Sequence, residues 1–265
     1  MNKVRIFSYL PNPRVHKATI ASRLNGVEVE LRGARPAELK DWLWDFDAHP
    51  LTDTERENTA TLRTAKKGFS GGIHKTDAFL AAHPYGTVPA AFSGDGSVGV
   101  FESNSILRLV ARLGEEQCAL YGQNALEATR IDSFLDASLN FAIESQKYLF
   151  SFSDNQSLKL AHPLMSEAFE VYMKGIERAL DAGTYIVGDS ISIADIAYVC
   201  ELTLFALERH EGERFKALGL DSIFETSAAD CPRAKAHFSQ LMGHAAFGPD
   251  LRDYYNEMTM RKAFT

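Results

Sequence analysis

One stretch of the chain, residues 84–109, limits the possible folds more than any other. Two short apolar runs, 88–92 and 98–101, flank the sequence Ser-Gly-Asp-Gly at 93–96, which is typical of a hairpin turn. Periodic apolar residues from 106 to 110 then indicate an amphipathic helix. The stretch therefore predicts strand, turn, strand and helix, with the helix beginning directly after the second strand.

Two residues of this stretch occupy positions with a defined physical role. Proline cannot donate a hydrogen bond to a sheet, so Pro89 is expected at a strand start or edge, where a cis peptide bond is also possible. We predict Ser103 as the N-cap of the helix, beside unpaired backbone donors and the positive end of the helix dipole. Taken singly, such a serine is usually only a cap and Val-Pro is usually only a turn, but their combination is rarer.

The N-terminal segment predicts a strand, a helix and a second strand. Residues 4–9 are apolar enough for a strand, Asn12 is a good helix N-cap, and Pro13 suits the first helical position because it has no N–H to leave unpaired. Gly26 is a suitable C-cap, and the apolar run 27–31 follows it. The order β-α-β therefore precedes the later β-β-α.

Together these segments resemble the glutathione S-transferase family, through Gly-x-Val-Pro, the hairpin and Glu-Ser-x-x-Ile within residues 86–106. The resemblance implies an α/β thioredoxin-like N-terminal domain followed by an all-α C-terminal domain. We assign residues 1–113 to the glutathione-binding domain, with a long insertion around 36–82, and residues 121–265 to the helical domain. The family also implies a homodimer that buries the first domain against the partner's helical half.

The same resemblance implies roles for three residues, and we count Pro89 and Arg14 with them as glutathione-binding residues. Val88, before Pro89, would pair through its backbone with the cysteinyl part of glutathione, while Glu102 and Ser103 would hold the γ-glutamyl end. Glutathione would be a cosubstrate. No metal is expected, because the eight histidines show no paired-ligand spacing and the three cysteines have no CxxC spacing.

The thiol of glutathione reacts as its thiolate, so an enzyme of this family needs donors near the sulfur. We predict Asn12 as the catalytic residue, because its amide can donate, and the helix start and Arg14 add positive charge. Ser8 and Tyr9 remain alternatives, since the sequence does not say which strand face is the site. With no cysteine at this position, glutaredoxin-like and dehydroascorbate-reductase chemistry is not expected, which leaves conjugation, reductive ether cleavage or isomerisation.

Two classes of function follow. One is a glutathione transferase that directs the thiolate at a hydrophobic electrophile. The other is a non-catalytic assembly module, because the sequence of the first helix resembles the transferase-like domain of elongation factor 1-gamma. The residues that carry this resemblance are Asn12, Arg14, Lys17, Ala18, Ile20 and Ala21. The absence of a further domain before Thr265 favours a free-standing enzyme. Glutathione-dependent aryl ether cleavage is a third possibility, and no residue of the sequence favours it over the other two.

The second half contains a folding signal and a set of aromatic residues. Ser192 and Asp195 have capping-box spacing, with Ile191 and Ile196 placed as a hydrophobic staple, and we expect them to nucleate a helix without touching a ligand. Six aromatic residues are expected either to line an apolar wall for the second substrate or to pack in the helical core: Phe134, Phe141, Tyr148, Phe152, Tyr254 and Tyr255.

The insertion and the bulk composition complete the expectations. Aromatic residues cluster at 42–46, either as a patch on the domain surface or as part of a lid or dimer contact, and residues 66–74 look loop-like. The net charge of −7, without a basic run, argues against nucleic-acid binding. Neither a signal peptide nor a membrane-length apolar span is present, so no membrane association and a cytoplasmic location are expected.

Overall fold

The structure, a computed structural model, describes residues 3–65, 71–114, 119–226 and 230–256. They divide into two compact units, within residues 1–115 and 116–258. The first unit contains β1 Lys3–Tyr9, α1 Pro13–Asn25, β2 Glu28–Ala34, β3 Trp42–Trp44, β4 His49–Pro50, α2 Asp53–Glu57, β5 Leu62–Thr64, β6 Gly72–Lys75, α3 Asp77–Ala82, β7 Ala90–Phe92, β8 Gly99–Phe101 and α4 Ser103–Leu113, with a 3-10 turn at Pro36–Asp41.

The main sheet of the first unit has the strand order β2-β1-β7-β8. Strands β1 and β2 are parallel, while β7 runs antiparallel to both β1 and β8. This is the predicted β-α-β followed by β-β-α, so the thioredoxin-like reading of the first half is confirmed. The caps of α1 are also as predicted: Asn12 Oδ1 accepts from Arg14 N at 3.0 Å, and Gly26 has a left-handed φ of 74°.

The helix after β8 begins one residue earlier than expected, and the prediction of Ser103 as its N-cap is wrong. Glu102 is the N-cap: its carbonyl oxygen accepts the first helical bond from Ile106 N at 3.0 Å, and Ser103 is already helical. The Ser103 hydroxyl is therefore not needed as a cap. Strand β7 begins at Ala90 rather than at Val88, which agrees with the missing N–H of Pro89, and the Val88–Pro89 peptide bond is cis.

A second four-stranded sheet, in the order β4-β3-β6-β5, occupies the segment between β2 and α3. The expectation that residues 66–74 are loop-like is wrong for 72–74, which belong to β6, while residues 66–70 lie outside the described residues. Trp44 and Ile73 of this sheet are buried in one hydrophobic cluster with Phe7 and Phe92 of the main sheet. The aromatic cluster at 42–46 therefore contributes to the core of the unit.

The second unit is built from helices in the part that the structure describes: α5 Ala125–Phe150, α6 Asn155–Ala179, α7 Ile193–Phe205, α8 Gly212–Leu218, α9 Ile223–Thr226, α10 Pro232–Gly243 and α11 Gly248–Asn256, with 3-10 turns at Ser151–Ser153 and Ala206–Glu211. Every residue of α7 is buried, which makes it the central helix of this unit. None of the helices within the described residues has the length and apolar character needed to cross a membrane.

The predicted capping box starts α7. Ser192 Oγ accepts from Ala194 N at 3.2 Å, and Asp195 Oδ2 accepts from Ser192 N at 2.8 Å. The Asp195 carboxylate also lies 2.7 Å from His237 Nε2, which ties α10 to the start of α7. The box is therefore part of a buried polar network, as well as a helix start.

The six aromatic residues of the second half divide between core and surface. Phe141 stacks on Tyr172 with ring centres 4.5 Å apart, and the Tyr148 hydroxyl donates to Glu208 Oε1 at 2.8 Å, so both belong to the core. Tyr254 is buried as well. Core packing explains these three residues, while Phe134, Phe152 and Tyr255 are half-buried.

Candidate functional site

Three strands of the main sheet end or begin side by side at one edge. Ala90 of β7 pairs with Phe7 of β1 on one side and with Phe101 of β8 on the other. The residues one step beyond these pairs, Ser8, Pro89 and Glu102, therefore flank the same edge, because adjacent strands lie about 4.8 Å apart. Helices α1 and α4 both begin within a few residues of this edge.

Asn12 is the N-cap of α1, and the amide nitrogen of its side chain has no hydrogen-bond partner among the described residues. Its side chain is 1% exposed, and while Oδ1 caps the helix, Nδ2 finds no hydrogen-bond partner among the described residues. A buried donor without a partner costs about 1–3 kcal/mol, so such a group calls for an explanation. Ser8 Oγ is in the same condition inside β1, whereas Tyr9 and Arg14 are half-buried.

Glu102 and Ser103 form the start of α4. Glu102 is exposed and has φ 67°, and no other residue except glycine has a positive φ in the described ranges. Such a conformation is sparsely populated and clusters at ligand sites. Ser103 is half-buried at the first helical position, where backbone N–H groups have no partner within the helix.

A buried lysine connects the two helix starts. Lys17 of α1 is 1% exposed, and its Nζ donates to Asn104 Oδ1 at 2.8 Å and to Ser103 Oγ at 3.2 Å. Sequence reasoning used Lys17 only as part of a family resemblance. The structure buries Lys17 between His16 and Ala18, and a lysine is rarely fully buried without partners.

A second cation lies at the loop before Val88. Lys75 of β6 donates from Nζ to the carbonyl oxygen of Gly86 at 2.5 Å, and the same atom lies 4.5 Å from the ring centre of Trp44. Burial lowers the pKa of the Lys75 ammonium below its usual value. This residue was missed from sequence, because its partners come from segments that only the second sheet brings together.

His83 is the buried neighbour of this loop. Its ring stacks on Phe101 with centres 4.8 Å apart, and Nδ1 has no partner in the part of the chain that the structure describes. Burial lowers the pKa of the His83 imidazole, and the charge of Lys75 lowers it further. Both effects favour the neutral form of the ring.

The chemistry of this edge suits an anionic ligand. Two helix starts supply backbone donors and positive dipole ends, and Arg14 and Lys17 supply full charges.

Cys200 and Cys231 are buried free thiols in the second unit, and Cys118 lies outside the described residues. Within the described ranges, no group of three or more histidine, cysteine or acidic side chains is arranged to hold a metal ion.

No protein-family model matches the chain. The probable elongation factor 1-gamma 1 of Arabidopsis thaliana is 36% identical over 142 residues, which are 51% of this chain and 32% of that protein. This chain therefore spans about a third of the length of that relative.

Solved structures, glutathione transferases among them, share the fold. Glutathione transferase F7 from Populus trichocarpa superposes with a TM-score of 0.59 at 14% identity, covering 96% of this chain and 100% of the other. Ure2p in complex with glutathione superposes with a TM-score of 0.60 at 14% identity, covering 94% and 97%. The predicted fold, thioredoxin-like and then all-α, is thus confirmed.

Glutathione S-transferase F9 of Arabidopsis thaliana is 30% identical over 154 residues, which are 54% of this chain and 69% of that protein. The similarity therefore extends over more than two thirds of a complete transferase, on a chain that has the transferase fold. The chain belongs to the glutathione S-transferase family.

Proposed function

We propose that the chain is a glutathione transferase, which holds glutathione at the edge shared by β1, β7 and β8 and directs its thiolate at a hydrophobic electrophile. The observation that carries the proposal is that α1 and α4 both start at this edge. The buried Asn12 Nδ2 there has no hydrogen-bond partner among the described residues. Glutathione carries carboxylates and a thiol, which need such donors and positive charges.

In this proposal, the γ-glutamyl carboxylate accepts from the Ser103 hydroxyl and from the backbone donors of α4. The Glu102 carboxylate faces the γ-glutamyl ammonium, which its exposure and unusual backbone conformation support. The backbone of Val88 pairs with the cysteinyl part of glutathione, because Val88 and Pro89 lie ahead of the first paired residue of β7.

The sulfur would lie at the start of α1, as its thiolate. A free thiol with a pKa near ~8.5 is mostly protonated at neutral pH, so the site must favour the anion. We assign this role to Asn12 Nδ2, assisted by Arg14 and the helix dipole. The missing partner of this buried amide supports the assignment, since a bound thiolate would supply the acceptor.

The experiment is calorimetric titration with glutathione, followed by ultraviolet absorbance of the bound thiolate against pH. Wild type should bind glutathione and show a thiol pKa below ~8.5. Ser103→Ala should weaken binding by about 1–3 kcal/mol, because a charged group loses a donor. Ser22→Ala is the matched control, since its hydroxyl donates to Val27 O at the far end of α1. Equal affinities of Ser103→Ala and wild type would remove the assignment of Ser103.

The similarity to elongation factor 1-gamma supports a second candidate, a non-catalytic assembly module. The two candidates differ in the state of the sulfur. A module that retains only the binding cleft has no need of a thiolate, so glutathione bound with an unshifted thiol pKa would favour the module. Turnover of an aryl halide would favour the transferase, and a model aryl ether would test ether cleavage in the same assay.

We also propose that the protein is a homodimer. Helices α5 and α6 of the second unit form an open apolar groove of about 660 Å³, lined among others by Phe134, Phe141, Leu164, Ala168 and Val171. Leu164 and Val171 are 62% and 70% exposed, and large apolar faces of this kind are typical of interfaces. Sedimentation should show a dimer that Val171→Glu dissociates, whereas Leu126→Glu, at an exposed position outside the groove, should not. A monomeric wild type would contradict this.

A further inference from the structure

We infer that Lys17 is a positioning residue, which turns the Ser103 hydroxyl into the donor for the γ-glutamyl carboxylate of glutathione. The inference rests on the proposed function, because it concerns the same binding site. It assigns a role to a residue that touches no ligand in that proposal.

The first step is the direction of one hydrogen bond. A lysine ammonium has three N–H donors and no acceptor, so in the 3.2 Å contact between Lys17 Nζ and Ser103 Oγ the serine oxygen is the acceptor. A hydroxyl has a single hydrogen, which this bond does not use. The Ser103 hydrogen is therefore available for a different acceptor, such as a ligand carboxylate.

The second step is the anchoring of the lysine itself. Nζ also donates to Asn104 Oδ1 at 2.8 Å, and this bond is buried. Lys17 belongs to α1, and Ser103 and Asn104 belong to α4, so these contacts hold the start of α4 against α1. The bond from Lys17 thereby holds the Ser103 side chain in one rotamer. A serine at a helix start without such a bond is free to rotate.

The third step is the charge. The Lys17 ammonium is shielded from water, and an interaction between charges is stronger where the effective dielectric constant is low. A carboxylate bonded to Ser103 would lie one hydroxyl away from this ammonium. Its attraction adds to that of the α4 dipole, so both favour an anion at the same place.

The test measures glutathione affinity by calorimetry in wild type, Lys17→Met, Ser103→Ala and the double variant. Lys17→Met keeps a linear side chain but removes the charge and the donor, and should weaken binding about tenfold. In the Ser103→Ala background the same change should cost clearly less, because the residues act as a unit. An undiminished cost in that background, or no cost in wild type, would overturn the inference.

A second readout separates positioning from simple stabilisation. The analogue 4-aminobutyryl-cysteinyl-glycine lacks only the γ-glutamyl carboxylate, so the preference of wild type for glutathione over it reports that contact. Lys17→Met should reduce this preference, whereas the control Ser22→Ala should not. Equal preference in wild type and Lys17→Met would count against Lys17.

Three further outcomes are informative. If circular dichroism shows that Lys17→Met does not fold, Lys17→Gln replaces it, because glutamine keeps a donor for Asn104 while losing the charge; unchanged affinity in that variant would overturn the inference. If wild type does not bind glutathione, the proposed function falls and the inference with it. If wild type binds and Lys17 variants bind equally well, the inference alone falls.

Discussion

Lys75 Nζ donates a hydrogen bond to the carbonyl oxygen of Gly86, across 2.5 Å. This bond fastens the second sheet to the loop that leads into Val88, and the ammonium also lies over the ring of Trp44. Lys75→Met should lower the free energy of unfolding by about 1–2 kcal/mol, through loss of the bond and of the cation–π contact. Urea denaturation checks this. Lys216→Met, at a lysine on the surface, is the matched control and should change stability little.

Asn12→Ala should raise the pKa of bound glutathione thiol and lower kcat more than it raises KM, because the amide acts on the reacting charge. Asn12→Ser keeps a cap and a donor, and should stay close to wild type. Thiolate absorbance against pH checks both. Asn124→Ala removes the N-cap of α5, which costs a similar ~1 kcal/mol of stability, and should leave the thiol pKa unchanged. If only Ser8 or Tyr9 variants shift the curve, the role belongs to β1.

His83 makes the stability of the first unit depend on pH. Because its folded-state pKa is lowered, the unfolded chain binds a proton more readily, and stability falls as the pH drops from 6.5 toward the lowered value. His83→Phe keeps the stack on Phe101 and cannot titrate, so its unfolding free energy should fall less over that range. Chemical denaturation at several pH values checks the difference. Parallel curves for the two proteins would show that His83 does not titrate as a buried group.

Glu208 organises the end of the second unit. Its carboxylate accepts from Tyr148 Oη, Ile223 N and Phe224 N at 2.7 to 3.0 Å. Glutamine in its place would direct N–H groups at these donors, so Glu208→Gln should destabilise the fold by about 1–3 kcal/mol. Burial raises the pKa of the Glu208 carboxyl, so the folded protein holds this proton more tightly, and wild type should lose stability relative to the variant as the pH rises above 4.5. Glu213→Gln, at an exposed carboxylate, is the control.

The parts of the fold that were predictable depend on local signals. The first helix begins and ends where Asn12, Pro13 and Gly26 indicate, because caps act within a few residues. The start of α4 was misplaced, because nothing about a glutamate indicates a positive φ at Glu102. The edge of the main sheet that carries the predicted site residues followed from the strand order, whereas the orphaned amide of Asn12 depends on side-chain packing.

The second sheet shows where sequence reasoning fails. Its strands are two to four residues long, too short for a periodic pattern, and β3 pairs with β6 through residues as distant as Leu43 and His74. The same distance explains why Lys75 was missed. Lys17 was missed for the same kind of reason, because its acceptors Ser103 and Asn104 lie 86 and 87 residues away along the chain.

The second sheet is also inseparable from its host. Trp44 packs edge-on against Phe7 with ring centres 5.4 Å apart, and Phe46 packs likewise against Phe92 at 5.7 Å. Excising this sheet would leave aromatic faces of β1 and β7 open to water, next to Asn12, which follows β1, and Val88, which precedes β7. A trimmed form of the first unit therefore cannot be obtained from this chain by deletion alone, and engineering would have to redesign the exposed face with polar residues.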